Sequence, residues 1–205
     1  MVSEDYIDFH AHHPSLRGER VIQDGVDTRG RHPWHLASTP PHKGGGWEGV
    51  SAVGESGLDK VCSTPYELQL EVFREEVSLS EELQKPLILH CVRAIDDVLR
   101  IHKELRPRQP WIWHGYRGSA QQINQLLKTK GDNEMGTFYF SFGYRFNEEA
   151  LKTCPLDRLL LETDDDTQHP IADLYEQVAT LRGITTDELV RQMHENFHTL
   201  FGTSN

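Results

Sequence analysis

The chain has 205 residues, 37% hydrophobic and 26% charged, a balance that can bury a sizeable core and excludes global disorder. Its net charge of −11 excludes a general nucleic-acid coat, which binds by neutralising phosphates with Lys and Arg, but not an enzyme that meets phosphates through metal ions. Cys62, Cys91 and Cys154 form no CxxC pair or disulfide framework, no stretch approaches the roughly 18 apolar residues of a membrane span, and no signal-peptide pattern opens the chain, so one cytoplasmic domain over 1–205 without membrane contact is expected.

Residues 5–9 read as a first strand, running into Asp8-Phe9-His10-Ala11-His12-His13. Alternate strand residues share a face, so His10 and His12 project together while His13 turns away. Residues 12–18 are too few and too polar for a helix of their own. Val21–Gln23 and Val26–Thr28 flank Asp24-Gly25, the signal of an antiparallel hairpin. Residues 37–49 hold two prolines and Gly44-Gly45-Gly46 and read as a loop.

Beyond residue 50 a repeat sets in. Ser51–Glu55 is a short strand, and Pro65 opens a helix running through Leu83 with apolar residues near helical spacing. Pro86–His90 is a continuous apolar run, as in a strand covered on both faces, and 94–105 is helical. Trp111–His114 is the next strand, and Ser119 caps a helix over 120–130. Strand 137–142, a short helix near 147–152 and strand 158–162 follow. Helices over 171–182 and 185–200 close the chain, the last with Thr185 as cap and Glu188 three residues on. This rhythm implies parallel βαβ units and an α/β fold.

Strand after strand ends in an ionisable residue: His10 and His12, then Glu55, His90, His114, and the run Glu162-Thr163-Asp164. In a barrel these C-terminal strand ends converge on one mouth, where active sites are built. A set of four histidines with carboxylates exceeds what one catalytic zinc takes. It suits two divalent ions about 3.5–4 Å apart with a bridging carboxylate, and hydrolysis of a phosphodiester is the reaction class that follows.

The segments DFHAHH (8–13), GRHPWH (30–35), AVGESGLDK (52–60), PLILHCVRA (86–94), WHGYRGS (113–119), YFSFG (139–143), PLDRLLLETD (155–164) and ENFHTLFG (195–202) together resemble the TatD family of metal-dependent hydrolases, within the amidohydrolase-like superfamily. The resemblance implies a TIM-like (β/α) barrel and DNase activity dependent on two divalent ions, with Zn, Mn, Mg, Ni or Co as candidates. It implies that His10, His12 and Asp164 hold one ion, that His90 and His114 hold the other, and that Glu55 bridges them. Asp164 and Glu55 would be the catalytic carboxylates, Asp164 as general base. The family's usual chain is longer, and most of the loss lies before Glu55. A shortened barrel lacking one or two outer helices on its N-terminal side is therefore expected. The loop after Asp164 departs from the family in carrying Asp165-Asp166.

Arg93 and Arg117 each follow a strand-end histidine by three residues and are candidates to grip a phosphate, since guanidinium forks match its oxygens. His32 is a further candidate for substrate contact, Trp34 could stack a base or simply pack, and Glu162 could orient a ligand from behind. The expected substrate is DNA or a small phosphodiester. The alternatives are an amidohydrolase-type enzyme for a small ester, lactone, amide or phosphoester, and a metal-binding protein without catalysis.

Overall fold

The computed structural model describes residues 5–39, 42, 46–128 and 137–202. Eight strands run in chain order: β1 (Ile7–Ala11), β2 (Arg20–Gln23), β3 (Thr28–Arg29), β4 (Ala52–Asp59), β5 (Leu87–Val92), β6 (Trp111–Trp113), β7 (Phe138–Phe142) and β8 (Leu159–Leu161). All ladders are parallel: β1 pairs with β2, and β3 to β8 form a six-stranded sheet in sequence order. Single-residue bridges join the two sheets at both seams, Asp24 with Thr28 on one side and Ala11 with Asp164 on the other. The strands thus follow one another around a barrel-like ring, and their C-terminal ends share one mouth.

The apolar runs Leu87-Ile88-Leu89, Trp111-Ile112-Trp113 and Leu159-Leu160-Leu161 are buried throughout. That is the expected fate of parallel strands with helices outside and side chains filling the barrel inside. The helices are α1 (Tyr66–Leu83), α2 (Ile95–Leu105), α3 (Ala120–Leu127), α4 (Glu148–Thr153), α5 (Ile171–Arg182) and α6 (Thr186–Phe201). Ser119 with Gln122 and Thr185 with Glu188 form the capping boxes that start α3 and α6. The predicted helix over 120–130 reaches Leu127, and residues 129–130 lie outside the described set. Helix α5 is tied to β1 by the Tyr175 hydroxyl, which donates to the Ile7 carbonyl at 2.9 Å. The Asn196 amide of α6 donates to the carbonyls of Leu156 and Leu159, both at 2.8 Å. Among the described residues no helix is long and apolar enough to cross a membrane.

The N-terminal side is thinner. Among the described residues, the connections β1–β2, β2–β3 and β3–β4 hold no α-helix, only a 3-10 turn at Pro33–His35. The loss extends to three connections, one more than the upper expectation. The Asp24-Gly25 hairpin is also corrected. The tight turn exists, with Val26 and Asp27 N–H both donating to the Gln23 carbonyl, but β2 and β3 do not pair antiparallel. β1 takes β2 as its parallel neighbour and β4 takes β3, and the bridge across the turn, Asp24 with Thr28, is parallel. Turn chemistry sets the local bend, whereas ring closure chooses the partner strand.

In place of outer helices, a buried ion pair holds this side down. Arg31, 5% exposed, donates from Nε to Glu76 Oε1 at 2.7 Å and from Nη2 to Glu75. Both carboxylates belong to α1, so the segment Gly30–His32 is clamped against that helix.

Candidate metal centre

Glu55 reaches the mouth because β4 is irregular there. Val53 pairs with Leu87 and Ser56 with Leu89, three steps on β4 against two on β5. The extra residue is a bulge at Gly54-Glu55, a device that re-aims a side chain. Gly57 pairs with His90 at φ +155°, and a Cβ there would collide with the His90 carbonyl. The glycines of the GESG motif thus let β4 and β5 approach closely enough to bring Glu55 and His90 together.

The two carboxylate oxygens of Glu55 face different histidines. Oε2 lies 3.3 Å from His10 Nε2 and 3.3 Å from His12 Nε2. Asp164 joins this side, its Oδ1 3.8 Å from His10 Nε2 and 3.4 Å from His12 Nε2. Oε1 lies 2.7 Å from His90 Nδ1, 2.8 Å from His114 Nε2 and 2.9 Å from His32 Nε2. All six residues read as metal ligands therefore meet, although Asp164 is 154 positions from His10 in the chain. Backbone pairing fixes the join: His12 N–H donates to the Asp164 carbonyl at 3.1 Å and Asp164 N–H to the His10 carbonyl at 3.0 Å. Asp164 sits at φ +58°, a left-handed conformation that Asp tolerates better than most residues. His13 is turned from the cluster, with Nε2 3.1 Å from the Thr163 hydroxyl.

Three of the histidines meet a carboxylate at the ring nitrogen opposite Glu55. Asp24 Oδ2 lies 3.6 Å from His12 Nδ1, Asp59 Oδ2 3.3 Å from His90 Nε2, and Glu162 Oε1 3.7 Å from His114 Nδ1. Glu162 is itself fixed by the Gly115 N–H at 2.5 Å. A carboxylate hydrogen-bonded to the far ring nitrogen, as Asp59 is to His90, orients the imidazole and raises its basicity, while Asp24 and Glu162 add negative charge beside theirs. Asp24 and Asp59 escaped the sequence reading. Asp59 had a signal: in a strand it shares a face with Glu55, four residues earlier. Asp8, two before His10, was missed for the same reason. It accepts from Thr163 N–H at 3.0 Å and from its hydroxyl at 2.5 Å, and burial pushes its carboxyl up to about 7 against those bonds.

Burial opposes a charge on Glu55, yet His114 beside it and the ring nitrogens of His10 and His12 facing its other oxygen hold its carboxyl well below the usual range. His12 is pushed up to about 10, first by Asp164 and then by Glu55. Burial works against a charge on His114, but Glu55 and Glu162 carry it well above the ordinary imidazole range. The carboxylates thus attract positive charge to this point, as imidazolium protons or as divalent cations. The donor set fits the cations. Both ring nitrogens of His10 and Oε2 of Glu55 are buried without a hydrogen bond of proper geometry among the described residues, a cost that coordination would remove. Overlapping groups such as His10–His12–Glu55, His10–His114–Asp164 and His32–Glu55–His90 each bring their donor atoms within 4.8 Å of one another.

His32 differs from the others. Its Nδ1 accepts the Trp34 N–H at 3.1 Å, capping the 3-10 turn. A neutral imidazole with Nδ1 so engaged carries its proton on Nε2, so His32 presents a donor where a metal ligand needs a lone pair.

Two clefts open beside the cluster. One, of about 450 Å³, is lined by Arg117, Tyr144, Arg145, Asp164, Asp165 and His169 among others. The second, of about 420 Å³, includes Asp24, Arg29, His32, Glu48 and Glu55. Arg93 is exposed just past β5 and lines neither of these two.

Residues 28–202 match the family model described as TatD related DNase. Over 175 residues the chain is 34% identical to the uncharacterized metal-dependent hydrolase YabD of Bacillus subtilis, covering 75% of this chain and 66% of that one. It is 30% identical over 209 residues to the 3'-5' ssDNA/RNA exonuclease TatD of Klebsiella pneumoniae, covering 82% and 77%. The crystal structure of the TatD homologue YJJV from Escherichia coli K12 superposes with a TM-score of 0.74 at 22% identity, over the whole of both chains, which speaks for the shared barrel fold. The chain thus spans just under two thirds of YabD's length, and it belongs to the TatD family of metal-dependent hydrolases.

Proposed function

We propose that the protein is a divalent-metal-dependent phosphodiesterase acting on nucleic acid, with two ions held on either side of Glu55. The observation that carries this reading is the division of the Glu55 oxygens: Oε2 toward His10 and His12 with Asp164, Oε1 toward His90 and His114. The description of the Klebsiella relative as a single-stranded DNA and RNA exonuclease supports the choice of substrate. The continuous apolar core from β1 to α6 supports reading 1–205 as one domain.

When bound, the ions supply positive charge against the phosphate oxygens and lower the pKa of an attacking water. Glu55 holds both positions at once. Asp164, with burial opposing its charge but His12 and the neighbouring imidazoles keeping its carboxyl low, is available to accept the proton of that water. As oxygen bonds to phosphorus, the P–O bond to the departing sugar breaks and the sugar oxygen takes up a proton from water; His32, whose Nε2–H faces Glu55 Oε1 at 2.9 Å, borders the phosphate position and would contact a phosphate oxygen there. Arg117 in the adjoining cleft extends the phosphate contact. Arg93, exposed outside both clefts, fits contact with a longer strand.

A second reading, hydrolysis of a small phosphoester, is favoured by one observation: Asp165 and Asp166 line the larger cleft and repel a polyanion. The test is release of nucleotides from single-stranded DNA by the manganese-reconstituted protein beside its Asp164→Asn variant, with a small phosphoester as parallel substrate. Metal-dependent release by the wild type, lost in the variant, supports the nuclease. Turnover of the small ester alone supports the second reading. Equal DNA degradation by both proteins overturns the mechanism.

A further inference from the structure

Trp34 stands apart from the other tryptophans. Trp111 and Trp113 are buried in β6 and Trp47 is packed against the core, whereas Trp34 is 57% exposed. Among the described residues it is the one aromatic side chain among the large exposed apolar groups. Its place is the mouth of the barrel, with ring centroid 5.0 Å from His32 and 5.9 Å from His90 and planes near perpendicular to both.

The exposed indole is also fixed. Its Nε1–H donates to Asp59 Oδ2 at 2.6 Å, and its backbone N–H donates to His32 Nδ1 at 3.1 Å. Asp59 is 3% exposed and is held in turn, accepting from Val61 N–H at 2.7 Å through its other oxygen. The same Oδ2 lies 3.3 Å from His90 Nε2. One buried carboxylate therefore sets both the indole and a histidine of the metal cluster. Packing alone needs no such arrangement, because an indole that only filled space would be covered.

We propose that Trp34 is a stacking platform for a nucleobase of the substrate, held by Asp59 at a fixed distance from the His90 side of the cluster. The proposal rests on the phosphodiesterase reading above and deepens it: the substrate carries a base next to the phosphate that is attacked. A flat π-face accepts any base, so the platform gives affinity with little sequence preference. Because the indole is already ordered, little side-chain freedom is lost when a base lands on it.

The test compares wild type with Trp34→Phe and Trp34→Ala, using single-stranded oligonucleotides that end in a normal or an abasic nucleotide. Binding is followed by tryptophan emission with phosphorothioate-linked strands that resist hydrolysis, and the emission missing in Trp34→Phe isolates Trp34. Hydrolysis is followed on ordinary strands, with the metal content of each protein measured alongside. The expected result is quenching of Trp34 by the base-bearing strand and much less by the abasic one. Trp34→Ala should raise KM for the base-bearing strand roughly ten-fold, the order of one base–aromatic stack, with kcat and KM for the abasic strand little changed. Trp34→Phe should recover most of the loss. No quenching, or equal weakening on both strands, overturns the platform. Base-dependent quenching without hydrolysis of any strand would sink the nuclease reading and leave the platform standing.

Discussion

Oδ2 of Asp59 lies 3.3 Å from Nε2 of His90, on the side of the ring away from Glu55, which is 2.7 Å from Nδ1. A ring held at both nitrogens has one orientation, and that orientation aims Nδ1 into the cluster. Asp59→Asn removes the charge that favours this tautomer and ring pose. We expect metal affinity to fall by about 10- to 100-fold, with the barrel intact. Titration against a chelator of known affinity, beside circular dichroism, checks both halves.

Metal affinity should depend on pH with a defined sign. His10, His12 and His114 all have proton affinities above the ordinary imidazole value; burial and His114 oppose this at His10, but Glu55 and Glu162 prevail. These protons must leave before the nitrogens can coordinate. Affinity should therefore rise from pH 6 to pH 8, with proton release on binding. Calorimetry in two buffers of different ionisation enthalpy measures that release, and an affinity that falls over this range would contradict the assignment of these histidines as ligands.

Gly57 is a point of close approach between β4 and β5. At φ +155°, with the His90 carbonyl where a Cβ would lie, Gly57→Ala meets both backbone strain and a clash with main chain that cannot swing aside. We expect a loss of about 3 kcal/mol or more, since an unfavourable φ and overpacking add. Urea unfolding reads this directly, and a variant as stable as wild type would show that the strands can separate.

The regular rhythm of strand and helix was readable because continuous apolar runs such as Leu87–Leu89 and Trp111–Trp113 belong to strands buried on both faces. Once the strands are parallel, His10, His12, His90, His114 and Asp164 fall at one mouth by position, whereas Glu55, expected at a strand end, lies within β4 and needs the bulge beside it to turn into that mouth. What escaped is what depends on the ring closing. Asp24 reaches His12 only because β2 lies beside β1, and the Asp24-Gly25 turn reads the same whether the next strand folds back or moves on. The tautomer of His32 depends on the Trp34 N–H, a contact made by a short 3-10 turn that no periodicity announces.

The clamp on the thin side of the barrel gives another prediction. Arg31→Met leaves Glu76, fully buried, without its guanidinium. Stripping one partner from a buried pair costs about 3–5 kcal/mol, and His42, 3.1 Å from Glu76, offsets part of it. A drop in thermal midpoint is expected, with weaker substrate binding as the His32 segment loosens. The double variant Arg31→Met with Glu76→Leu should recover stability. Failure of that recovery would mean that the cost is not an orphaned charge.

The central claim is that Glu55 stands between two cations. Anomalous diffraction from crystals grown with manganese tests it most directly. Two peaks are expected, one by His10, His12 and Asp164 and the other by His90 and His114, each within coordination distance of a different Glu55 oxygen. Loss of at least one peak is expected in Glu55→Gln. A single peak in the wild type, or two that persist unchanged in Glu55→Gln, would contradict it.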